Sequence, residues 1–227
     1  MQPFATARRR RYRAEAFIQE YGFPASVMRK VTAAHPELRP RDVAAVETGL
    51  REWLTCCAYR DGDQLGMPSA AVDWAWHEFI LNTPAYHAFC RRAFGEYLHH
   101  VPESDMAVPM RHGLWRTVLA WDRSEAGREG RQPSLWDLDA ALGLPEPIGV
   151  PAAERRHARE AGRDMPPRPR SGRGADAGAA FFVGGDVGGF GGGHGGGHGG
   201  GHGCGGGGGG CGGGGGGGGG GCGGGGG

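Results

Sequence analysis

From Gly184 to Gly227, 35 of 44 residues are glycine, and no other feature restricts the fold of this chain as strongly. Such a segment has almost no apolar surface to bury, and glycine loses more backbone entropy on ordering than any other residue. It is expected to be a disordered tail, so the core must come from what precedes it. Residues 1–147 read as one helical domain, 148–183 as a Pro- and Arg-rich linker, and 184–227 as the Gly-rich tail. A head of that length normally builds a single hydrophobic core.

The formal charge of +1 comes from 25 basic and 24 acidic residues. Every basic residue stands at or before Arg173, which leaves the tail nearly uncharged. A head so close to balance argues against general affinity for nucleic acid. Two local basic clusters, at residues 8–13 and 155–173, flank the core and read as solvated ends. The four arginines from Arg8 to Arg11 are followed by Tyr12-Arg13-Ala14-Glu15 rather than an apolar run, so a secretory signal is not expected. No stretch approaches the ~20 apolar residues of a membrane span. Cys56, Cys57 and Cys90 are an odd number of cysteines in the head. They point to reduced thiols and a cytoplasmic protein.

The head reads as helices throughout. Residues 10–21 place Tyr12 and Ala16 along one side, with Phe17 and Tyr21 on the adjoining stripe. Gly22 closes this helix and Pro24 opens a short one that would bury Val27, Met28 and Val31. Over residues 41–59, Val43, Val46, Leu50, Trp53, Leu54 and Cys57 repeat at three- and four-residue steps, making one apolar face. Ser69 is a good N-cap for a helix reaching Leu81, and Thr83-Pro84 starts the next, which Gly95 stops. Leu114, Trp115, Val118 and Leu119 trace a further face, and Ser134 caps a last short helix carrying Leu135, Leu138 and Leu142. Period-two runs of β-branched residues and Asn-Gly turns are missing. The expectation is an all-α fold, a compact bundle of about six or seven helices followed by the disordered polyglycine tail. Residues 153–162 have helical composition without an apolar face, hence the linker assignment. The Phe181-Phe182-Val183 patch is expected to be exposed.

The most informative stretch is Val72 to Leu81. Val72, Trp76, Phe79 and Ile80 share a core-facing side. Asp73 and His77 are one turn apart, so the carboxylate can reach an imidazole nitrogen, fix its tautomer and leave the other nitrogen free. Tyr86 and Cys90 lie inward on the following helix, and His99 and His100 return toward the same region. A site lined by Asp73, Trp76, His77, Tyr86, Cys90 and one of His99 or His100 is geometrically feasible. Under a metal reading, His77, Cys90 and one of these two histidines bind a borderline ion such as zinc, with Asp73 behind them. Under a structural reading, His77 is satisfied by Asp73 and Cys90 is a small hydrophobe. The irregular ligand spacing favours the structural reading. Cys56-Cys57 reads as helix-core packing.

The pattern Asp73-x-x-Trp76-His77, then Leu81, Tyr86, Cys90, Phe94-Gly95 and Leu98-His99-His100, resembles the glycine-rich domain-containing protein-like family. The match is close over residues 66–102. A second histidine that plant members carry two residues after the first is Phe79 here. The resemblance implies the helical fold boundaries and no defined activity.

In the tail, His194, His198 and His202 recur every four residues, and Cys204, Cys211 and Cys222 follow. On polyglycine this spacing does not imply a helix, but His and Cys donors suit Zn(II), Ni(II) or Cu(I). The chain lacks a Walker loop after a strand, a dinucleotide fingerprint and a nucleophile elbow. A non-catalytic binding or interaction domain for an unknown protein or small ligand is therefore expected, without nucleic acid or membrane; the tail reads first as a flexible low-complexity tether in which His and Cys are incidental, with weak metal capture as the alternative. The competing expectation is a metal-dependent or His-based enzyme using the His77 site.

Overall fold

The helix with the clearest apolar stripe is the one around which the domain is built. In a computed structural model that describes residues 3–162 and 180–183, this helix spans Pro40–Ala58 and packs against the first helix, Pro3–Glu20, and against Ala70–Leu81 and Met110–Arg123. In chain order the elements are α1 (Pro3–Glu20), α2 (Ala25–Ala34), α3 (Pro40–Ala58), β1 (Leu65–Gly66), α4 (Ala70–Leu81), α5 (Thr83–Ala93), β2 (Leu98–His100), α6 (Met110–Arg123), α7 (Glu125–Arg128), α8 (Leu138–Leu142), α9 (Ala152–Ala161) and β3 (Ala180–Val183). The described residues are thus mostly helical, as the periodicity requires. The chain divides into two units, Met1–Gly188 and Gly189–Gly227, and the second lies wholly outside the described residues.

Val46, Leu50, Trp53, Leu54, Cys56 and Cys57 of α3 are completely buried, so the adjacent cysteines do serve as core. Trp53 meets Trp76 of α4 edge to face at 5.6 Å, a favourable arrangement of ring quadrupoles. A second aromatic group, Phe17, Tyr21, Phe79 and Phe89, joins the end of α1 to α4 and α5. Its placement decides which side of α1 faces the core. Ala14 and Ile18 face inward, whereas Tyr12 is 57% exposed and Ala16 lies on the surface.

Ser69 caps α4 as expected, accepting from the Val72 amide at 3.2 Å. A partner invisible to local sequence completes that cap. The fully buried Asp139 of α8 accepts from Ser69 Oγ (2.6 Å) and from the amides of Ala70 (2.7 Å) and Ala71 (3.3 Å). A carboxylate there satisfies orphan helix amides and complements the positive end of the helix dipole.

Three further departures have physical causes. Ser134 does not cap a helix with its side chain; its amide and hydroxyl donate to Glu52, and residues Ser134–Trp136 form a 3-10 turn before α8. Residues assigned to a linker form α9, which packs on α6. That contact is largely polar: Trp115 Nε1 and Arg111 Nε donate to Glu154, and Arg159 forms a two-point ion pair with Asp122, with only Ala158 buried between them. An apolar stripe is therefore not needed. Finally, Ala180–Val183 forms β3, which lies between β1 and β2 and parallel to both, where the sequence carries no strand signal.

β1 is held against α6 by the absence of side chains. A Cβ on Gly66 would lie 2.7 Å from the Leu114 nitrogen, and one on Gly113 would lie 2.9 Å from the Gly66 nitrogen. Only a glycine pair permits this approach, which Thr117 Oγ1 seals by donating to the Gly66 carbonyl at 2.8 Å.

Candidate functional site

Asp73 occupies the first turn of α4, and its neighbours Val72 and Trp76 sink into the core, drawing the carboxylate down until it is only 3% exposed. Burying an ionised carboxylate is costly unless partners meet it. Two imidazoles do. His77, one turn further along α4, places Nδ1 3.2 Å from Asp73 Oδ2 and 2.8 Å from the Asp73 carbonyl oxygen. His100, at the end of β2, places Nε2 3.3 Å from Asp73 Oδ1. The two rings stand 4.2 Å apart, and Trp76 packs on His100 at 5.0 Å.

A carbonyl oxygen can only accept, so the short contact assigns the proton of His77 to Nδ1 and leaves Nε2 with its lone pair. Burial alone would raise the Asp73 pKa, but hydrogen bonds from His100 and His77 outweigh it and hold the carboxyl below its usual range. The His77 pKa moves the other way. Its hydrogen bond to Asp73 raises it above that of a free histidine despite partial burial. His77 is exposed and His100 half-buried, so the group opens to solvent on one side.

One ligand atom from each of Asp73, His77 and His100 can be chosen such that all lie within 4.8 Å of one another. Donors around a tetrahedral zinc, bound at about 2.0–2.2 Å, stand roughly 3.4 Å apart. The 3.3 Å separation between His100 Nε2 and Asp73 Oδ1 is already of that size, whereas the donor that His77 offers is Nε2, because its Nδ1 carries the proton. The donors suit a borderline divalent ion.

The expected site residues divide accordingly. Asp73 stands within the Asp73–His77–His100 group that could hold a metal, rather than behind it. Of the two adjacent histidines, His100 faces the group, while His99 is exposed and rests on Tyr97 at 4.8 Å. The alternation of a strand explains this: Leu98 is fully buried, so position 100 shares its side and position 99 does not. Tyr86 and Cys90 are fully buried beneath the site and are not in the ligand group. Trp76 Nε1 donates to the Tyr86 hydroxyl at 3.2 Å, and that hydroxyl donates to the Leu98 carbonyl at 2.6 Å. Burial pushes the Cys90 thiol up, which disfavours the thiolate a metal would need. The tail donors His194, His198, His202, Cys204, Cys211 and Cys222 lie outside the described residues.

No helix among the described residues is long and apolar enough to cross a membrane. Comparison with curated proteins and with solved structures finds no match. A family model does match, that of UCP032817-like proteins, over residues 13–156. The match runs from the middle of α1 into α9 and stops before the polyglycine, so it does not carry the glycine-rich name that the Asp73–His100 motif suggested. It spans well over half of the sequence, and the chain belongs to the UCP032817-like family.

Proposed function

We propose that the helical domain is a non-catalytic binding module that holds one divalent cation of the zinc, nickel or copper type between Asp73, His77 and His100. The observation that carries this reading is the convergence of two imidazoles, 23 positions apart in sequence, on one buried carboxylate. The solvent-facing side leaves coordination positions for water or for a donor from a bound partner. The tail histidines and cysteines would be a second and looser place of capture, because each binding event must order a polyglycine chain.

The test separates the two places. The full-length protein with His194, His198 and His202 changed to Ala, and Cys204, Cys211 and Cys222 to Ser, is loaded with zinc, dialysed and measured by elemental analysis. One equivalent retained, and lost on His100→Ala with the fold intact by circular dichroism, supports the reading. Loss of all metal with the tail donors confines binding to the tail.

The free Nε2 of His77 favours one alternative, a His-based enzyme in which Asp73 orients His77 as a general base. A proton acceptor without metal would keep its role in chelator, which distinguishes it from the cation site.

A further inference from the structure

The two faces of α1 differ in how their arginines are treated. Arg11 pairs with Asp61, and Arg8 approaches Glu125 at 4.0 Å. Arg9, Arg10 and Arg13 have no carboxylate partner among the described residues, and neither does Arg91 on α5. All four line one groove between α1 and α5, of about 900 Å³, together with Arg92, whose guanidinium lies 4.9 Å from the Phe17 ring centroid. Glu20 is the sole acidic residue among the described residues of this lining. The groove residues that are buried, Ala14, Ala93 and Phe94, are apolar, while the exposed ones include the arginines and Tyr12.

Five guanidinium groups lining one groove repel, and a folded protein normally pairs or disperses such charge. Their concentration around an apolar floor selects a ligand with both properties. We infer that this groove docks an acidic amphipathic helix of a partner protein, with apolar side chains on the Ala14–Ala93–Phe94 floor and carboxylates against Arg9, Arg13, Arg91 and Arg92. The apolar floor favours such a helix over nucleic acid, whose phosphodiester backbone has no apolar stripe to bury there. Tyr12 and the arginines are residue types that dominate binding energy at protein interfaces. This docking surface does not depend on the cation site.

Fluorescence anisotropy on the full-length protein tests the inference with three labelled probes. They are a model helix bearing leucine at three- and four-residue spacing with flanking glutamates, a scrambled peptide of the same composition, and oligo(dT). The model helix is expected to bind, more weakly as salt rises, and to lose at least about tenfold in affinity with Arg13→Glu/Arg91→Glu. Circular dichroism establishes that the double variant, which changes exposed positions only, keeps its fold. Equal binding of the scrambled peptide, oligo(dT) binding as tightly as the helix, an unchanged double variant, or no binding of the helix would each overturn the inference.

Discussion

The hydroxyl of Tyr86 donates to the carbonyl of Leu98 at 2.6 Å, fastening α5 to the strand that carries His100. The same oxygen accepts from the Trp76 indole at 3.2 Å, so one buried group joins both elements of the candidate site. Tyr86→Phe leaves the Leu98 carbonyl and the indole without this partner at nearly constant volume. The expected loss is about 2 kcal/mol in urea denaturation. Zinc affinity should fall as well, because β2 is released; unchanged affinity would show that His100 is held by other contacts.

Asp139 tests whether the start of α4 depends on a distant carboxylate. Besides the contacts to Ser69, Ala70 and Ala71, it accepts from the Ile148 amide at 3.2 Å. Asp139→Ala strands these buried donors and should cost about 3 kcal/mol or more by chemical denaturation. The exposed neighbour Asp137, whose contact with Arg155 is 3.6 Å, serves as a control. Asp137→Ala should change stability by less than about 0.5 kcal/mol.

The Asp73 group predicts a stability profile with two flanks in metal-free protein. The Asp73 pKa lies below its ordinary 3.8, so its contribution is present above that value and is lost as pH falls through the lower folded value. The His77 pKa lies above 6.5, so its contribution is present below 6.5 and is lost as pH rises through the higher folded value. Thermal midpoints should show this contribution at its largest between the two ordinary values. Asp73→Asn should flatten both flanks together; loss of only one would mean that the groups titrate independently.

The Gly66–Gly113 contact predicts an asymmetry between glycines. Gly66→Ala places a methyl against α6 backbone that cannot rotate away, costing about 2–3 kcal/mol. A Cβ on Gly22 would meet nothing within 4 Å, so Gly22→Ala should be nearly neutral. Equal melting temperatures for the two variants would show that β1 is free to move off α6.

The helices of this protein were legible because their cause is local. The stripe of α3, the Ser69 cap and the one-turn spacing of Asp73 and His77 depend on a few neighbouring residues, and each appears where periodicity or side-chain chemistry requires it. The sequence alone also fixed which part of the chain has the apolar residues to form a core. Tertiary packing decided the rest. It chose His100 over His99, brought Asp139 to an amide 69 positions away, docked α9 through ion pairs, the Trp115 indole and one buried alanine, and gathered arginines of α1 and α5 into one groove that a balanced net charge concealed. These are meetings between segments far apart in sequence. Which groups meet is set by how helices of given length and surface fit together, and no local pattern encodes that fit.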